Sequence, residues 1–192
     1  YDTFVIDLWG VMHNGVVLNP KAIDAVEHLK KNLKKIVFLS NAPRPSSKVI
    51  NFLIKMKMDK KFLEHVMTSG EAAMHAINQK KFGKTFFHLG PERDISVFEK
   101  VKDNRTDLHS CDFILCTGLF DDYDDDLDYY KKFLLKHISK KLICTNPDLI
   151  VHRGNMEELC AGSVAKVFEE LGGEVIYFCL LYTSDAADDD HC

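Results

Sequence analysis

The chain has 192 residues, 46% of them hydrophobic, enough to bury a core in one domain or two small ones. Its 25 Lys and Arg against 29 Asp and Glu give a net charge of −4, and four of those acids fall in the last eight residues, so the body is near neutral and offers no broad electrostatic footprint for nucleic acid. No apolar run approaches the roughly 20 residues of a membrane helix and no signal-peptide pattern opens the chain, while six cysteines without a Cys-x-x-Cys pair point to reduced thiols in the cytoplasm rather than a disulfide scaffold.

In chain order, Phe4 to Ile6 is an apolar run that ends on the carboxylate of Asp7, and Gly10 follows three residues later to let the backbone turn. The chain opens on Tyr1 rather than Met, directly before this strand, so an upstream segment is expected. Pro20 suits a first helical turn, and Ala22, Ile23, Val26, Leu29 and Leu33 follow at helical spacing. Lys30, Lys31, Lys34 and Lys35 crowd the end of that helix, where the dipole favours cations, and read as a solvated face. Ile36 to Leu39 has the continuous apolar character of a parallel strand covered on both faces and ends on Ser40-Asn41. Strand, helix and strand make a βαβ unit.

After the turn Ala42 to Ser46, a helix buries Val49, Ile50, Phe52, Leu53 and Met56, and a strand at His65 to Thr68 and a helix from about Glu71 to Gln79 follow. Further strands are expected at Lys84 to Leu89, Asp112 to Cys116, Lys141 to Thr145 and Val175 to Phe178. Between them fall helices at Asp94 to Val101, Asp126 to Lys136 and Glu158 to Leu171, the last stopped by Gly172-Gly173. This is α/β alternation with no fixed repeat, organised as two units of which the second interrupts the first. Cys179 to Asp188 is similar to the in-frame translation of a transposase-type sequencing adapter, so residues 179–192 are set aside as a non-native tail.

In a parallel α/β sheet, ligands bind beyond the carboxyl ends of the strands, which is where Asp7, Ser40 and Asn41 stand. An aspartate there can attack phosphorus and form an aspartyl-phosphate. The repulsion between carboxylate and phosphate calls for a cation, usually Mg²⁺, for which the Asp7 carboxylate and the Trp9 backbone carbonyl are candidate ligands. Ser40 and the Asn41 amide suit phosphate oxygens, and Arg44 suits a charge-assisted contact.

At these residues the sequence resembles the haloacid dehalogenase-like (HAD) superfamily, whose first motif is D-x-D-x-T/V and whose second is a strand-end Ser or Thr. Asp7-Leu8-Trp9-Gly10-Val11 matches the first motif except at its third position, and Ser40-Asn41 matches the second. Only 33 residues separate Asp7 from Ser40, too few for a cap domain between them, so the large insert follows the second motif, as in the class IIA branch with its C2-type cap. Asp7 to Gly15, Ser40 to Arg44, Thr68 to Ala72 and Asn146-Pro147-Asp148 look like segments of an uncharacterised group in that branch.

The resemblance implies a Rossmannoid parallel-sheet core, incomplete here, over 1–66 plus 174–178, and an inserted α/β C2 cap over 67–173, through which the chain would form a homodimer. It implies a Mg²⁺-dependent phosphatase of a small phosphorylated metabolite, with Asp7 as nucleophile, the position of Trp9 as the acid/base place, and Ser40, Asn41 and Arg44 as substrate ligands. Asn146 and Asp148 reach the site from the cap by resemblance only; by composition their segment is a turn.

The chain departs from the pattern at Trp9, where the family's second Asp protonates the leaving group and activates water; an indole does neither. The family's Lys and acidic metal motif are expected beyond Phe178, where Cys179-Leu180-Leu181 stands instead of a G-K-P-like segment, so the chain as written is expected to be inactive. A weakly catalytic protein that binds a phosphorylated ligand is the alternative. The acidic run Asp121 to Asp126 lacks the Gly and terminal Glu of a Ca²⁺ loop and fits the entry of a helix, and His13, His88 and His152 have no zinc-site spacing.

Overall fold

The computed structural model describes residues 1–179. The adapter-like stretch, apart from Cys179, lies outside the described residues.

Strand β1 (Thr3–Asp7), helix α1 (Pro20–Lys31), strand β2 (Lys35–Ser40), helix α2 (Ser46–Lys55) and strand β3 (Val66–Thr68) build the first unit. Its sheet is parallel in the order β1-β2-β3, with Asp7 in register with Leu39 and Ser40 with Thr68. Asn19 caps α1 by accepting from the Lys21 amide, and Pro20 occupies the first turn, where its missing N–H costs nothing. Ile36 and Phe38 pack with Val26, Val49, Leu53 and Phe62 on one face. The other face is open, with Val5 61% and Met67 54% exposed. The lysines at the end of α1 form surface ion pairs, Lys30 with Glu64 at 3.3 Å and Lys34 with Asp2 at 3.0 Å.

The second unit starts with α3 (Ser69–Asn78), continues through β4 (Phe86–Leu89), β5 (Phe113–Cys116), α4 (Leu127–Leu134) and β6 (Lys141–Cys144), and ends with α5 (Ala161–Glu170) and β9 (Glu174–Tyr177). Its four strands are parallel in the order β4-β5-β6-β9. Both faces are covered: Ile114, Cys116, Leu142 and Cys144 pack under α4 and α5, while Phe113, Leu115 and Ile143 pack with Met74, Ile77 and Phe98. Asp126 receives the Tyr129 amide at 2.9 Å and so begins α4, the role expected for the acidic run.

Four expectations are corrected. The strand at the end of the chain does not return to the first sheet: Val175 and Ile176 pair with Leu142 and Ile143 of β6, so residues 174–177 belong to the second sheet. Met67 and Thr68 pair with β2 and belong to the first. The helix expected over Asp94 to Val101 is two 3-10 stretches, Glu92–Val97 and Glu99–Asn104, because Val97 and Phe98 turn into the core and Asp94 is buried against Arg44. The helix expected from Glu158 starts at Ala161, since Ile150–Arg153 (β7) and Met156–Leu159 (β8) form an antiparallel hairpin closed by Gly154, with φ +62, and Asn155.

Among the described residues no helix is long and apolar enough to cross a membrane. Cys111, Cys116, Cys144, Cys160 and Cys179 are free thiols, and burial pushes those of Cys116 and Cys160 up to about 12.

Candidate active site

Strand β1 ends on Asp7 because the next residues leave the sheet: Leu8 turns into the core, and its carbonyl takes the amides of both Met12 and His13. Gly10, at φ +79, allows this tight loop. The Leu8 amide donates to Asp7 Oδ1 at 2.7 Å, fixing the carboxylate at the strand end. Asp7 stays accessible to solvent on the open face of the sheet. Desolvation by the loops around it still raises its pKa, the Leu8 amide lowers it in part, and the nearby Asp148 carboxylate raises it again.

Ser40 ends β2 one position beyond the partner of Asp7, 7% exposed, and its Oγ accepts from the Ala42 amide at 3.2 Å. Asn41 reaches across to the second unit, donating from Nδ2 to Asp148 Oδ1 at 3.0 Å. The Asn146-Pro147-Asp148 segment is the turn its composition implies: Asn146 Oδ1 accepts from the Asp148 amide at 3.1 Å. Burial raises the Asp148 pKa, and the Asn41 bond works against it. Two glycines let helices of the second unit pack closely on these loops, Gly70 on the first unit's and Gly162 on its own unit's. A Cβ on Gly70 would collide with the Pro43 backbone, and one on Gly162 with the Pro147 carbonyl, so α3 and α5 each start flush against a loop of the site.

The structure thus brings Asp7, Ser40, Asn41, Asn146 and Asp148 to one place. It gives Arg44 a different partner: Nε donates to Oδ1 of Asp94, whose side chain is 3% exposed, at 3.0 Å. Trp9 follows Asp7 on the loop, and its side chain turns to the second unit, with Nε1 donating to the His152 carbonyl at 3.2 Å and Arg153 lying over the ring at 5.7 Å. His13, 4% exposed, backs the indole edge-on at 5.1 Å and accepts from the Gly15 amide through Nδ1 at 3.0 Å. Because Nδ1 accepts, the ring is placed as a neutral packing residue, and burial lowers its pKa.

From the sequence, His152 is weighed only as a zinc ligand and Arg153 is not singled out. Their signal was the Gly154-Asn155 pair between Ile150 to Arg153 and Met156 to Leu159, a two-residue hairpin cue.

The donor set fits a hard cation: an Asp7 carboxylate oxygen other than Oδ1 and the Trp9 carbonyl, which the Trp9–His13 bridge leaves aside because it uses Leu8 O and Gly10 N. Among the described residues no three His, Cys, Asp or Glu gather as a metal cluster, so carbonyl and water oxygens would complete the shell.

Residues 4–102 match the family of haloacid dehalogenase-like hydrolases. A haloacid dehalogenase-like hydrolase from Brucella suis 1330 superposes with a TM-score of 0.84 at 30% identity, over 92% of this chain and 67% of that one. The 4-nitrophenylphosphatase of Thermotoga maritima shares the fold with a TM-score of 0.64 at 24% identity, over 92% and 67% of the two chains. A possible sugar phosphatase of the HAD superfamily from Cytophaga hutchinsonii ATCC 33406 gives 0.69 at 18%, over 93% and 66%. The chain therefore spans about two thirds of the length of these structures. No curated protein matches it. With a family match over half its length and a relative at 30% identity, the chain belongs to the haloacid dehalogenase-like hydrolases, in the class IIA branch that the order of its motifs indicates.

Proposed function

We propose that this protein is a phosphatase of small phosphorylated metabolites, with Asp7 as the nucleophile. The observation that carries the reading is the convergence of Asp7, Ser40 and Asn41 at adjacent ends of a parallel sheet, with Asp148 facing them from the second unit. An Asp7 carboxylate oxygen bonds to phosphorus as the bond to the leaving oxygen breaks, and water then releases phosphate from the aspartyl-phosphate. The Ser40 hydroxyl and the Asn41 amide hold the non-bridging oxygens, and the second unit acts as a C2-type cap. Asp7 and the Trp9 carbonyl would hold Mg²⁺, whose charge offsets the repulsion between carboxylate and phosphate. Free thiols at Cys111, Cys116, Cys144 and Cys160 support a place in the cytoplasm.

The test is phosphate release from 4-nitrophenyl phosphate, with and without Mg²⁺, by the complete parent chain. Asp7→Asn keeps the size of the side chain and removes the nucleophile, so activity should fall by about 10³-fold or more, with the thermal transition kept within a few degrees. Activity that survives Asp7→Asn rules out the assignment.

The Trp9 side chain favours a second reading, a binding protein of weak activity, because the indole supplies no proton to a leaving group. That reading expects Trp9→Asp to raise turnover.

A further inference from the structure

The segment after the Asn146 to Asp148 turn is held by the first unit at both ends. At one end Asp148 accepts from Asn41 at 3.0 Å. At the other, the Trp9 indole donates to the His152 carbonyl at 3.2 Å, the Arg153 guanidinium lies 5.7 Å from the centre of the ring, and the Gly154 amide donates to the Asn14 carbonyl at 3.2 Å. Each neighbour of the indole contributes to this docking. Gly15 makes room for it, since a Cβ there would come within 2.7 Å of the Trp9 ring and 3.4 Å of Arg153 Cγ. His13 backs the ring and is itself wedged against Phe52 at 5.5 Å. On the hairpin, Glu158 accepts from Arg153 Nε at 2.8 Å and fixes the guanidinium against the indole face, where a cation is attracted to the ring quadrupole.

We propose that Trp9 is a positioning residue: its side chain seats the β7–β8 hairpin on the nucleophile loop, and the seated hairpin walls the site and keeps Asp148 beside Asp7. What the site does rests on the phosphatase reading, whereas the seat rests on the contacts alone. The consequence runs against simple repair of the motif. Trp9→Asp restores a carboxylate but removes the ring that Arg153 and the His152 carbonyl engage, so it should lower activity.

The seat can be read without turnover in the 192-residue chain. Arg153-Gly154 is a trypsin-cleavable bond inside the hairpin, protected while the hairpin is docked. Trp9→Asp should speed cleavage at this bond by about five-fold or more, while Trp9→Phe, which keeps a ring under Arg153, should stay within about two-fold of the parent. Equal rates in all three proteins overturn the proposal. Trp9 is also the only tryptophan of the chain, so its emission reports the seat directly. Arg153→Ala should shift that emission to the red, and an unchanged spectrum overturns the proposal even where Trp9→Asp fails to fold.

With 4-nitrophenyl phosphate and Mg²⁺, Trp9→Phe should raise KM more than it lowers kcat, and a gain in kcat/KM by Trp9→Asp would decide against the seat. A complete parent chain that releases no phosphate sinks the phosphatase reading, and the cleavage and emission results then still decide the seat.

Discussion

The two parallel sheets are written in similar apolar strands yet lie in different surroundings. In the second sheet, successive residues of β5 point to two separate clusters, Ile114 and Cys116 to one and Phe113 and Leu115 to the other, and all are buried. In the first, Phe4 and Ile6 are partly covered, while Val5 and Asp7, next along the pleat, face the open side. The residue read as the nucleophile therefore stands on the uncovered face of the smaller sheet. The doubly covered sheet holds the turn and the hairpin that meet the first sheet's strand ends. Packing density and chemistry are divided between the units.

Stability measurements can break or sharpen this contrast. Phe113→Ala should cost about 3–5 kcal/mol in chemical denaturation, because Phe113 is 1% exposed between Phe86 and Phe82 and its loss leaves a cavity. A cost below about 1 kcal/mol would mean that the second sheet is not the firm one. His88, 2% exposed and paired with Thr117 at 2.9 Å, tests the same unit by pH. Burial first, and Arg105 second, lower its pKa to about 4 from 6.5. The unfolded chain therefore binds the proton more readily, and this group's contribution is present above pH 6.5 and lost as pH falls towards 4, by up to about 3 kcal/mol. Unfolding curves of His88→Gln should be flatter than the parent's over that window, and parallel curves would refute the buried neutral imidazole.

Between the units, Arg44→Ala leaves the Asp94 carboxylate, 3% exposed, without its cation and should cost about 2 kcal/mol. Asp94→Asn combined with Arg44→Ala should recover part of that loss in a double-mutant cycle. The smallest effect belongs to the open face: Val5→Thr, at a residue 61% exposed, should stay within about 0.5 kcal/mol. A larger loss would show that something covers this face in solution.

The strand ends were legible because an apolar run that stops on Asp7, or on Ser40 and Asn41, is a local signal that needs no partner. The family followed from the order of those motifs. What escaped depends on pairing at a distance. Val175 to Tyr177 reads as a strand, but no local feature says which sheet it joins, and its partner β6 lies some thirty residues earlier. The hairpin was hidden because Met156-Glu157-Glu158-Leu159 fits a helix as well as a strand, with only Gly154-Asn155 to decide. Arg44 looked like an anion ligand from its place after Ser40, and its match with Asp94, 50 residues away, is invisible in the chain.

The Thr68-Ser69 peptide bond carries the chain from the first unit to the second. Around this crossing, side chains and loops hold one unit on the other. Ser69 Oγ donates to the Ala42 carbonyl at 3.1 Å and Gly70 abuts Pro43 at that crossing, and the Arg44–Asp94 pair adds a contact from the same loop. Asn41 donates to Asp148 from the start of that loop, whereas Trp9 and Asn14 meet His152 to Gly154 from the loop after Asp7. The nucleophile loop is thus a second anchor, separate from the 41–44 loop, and the two units are tied at two places rather than one.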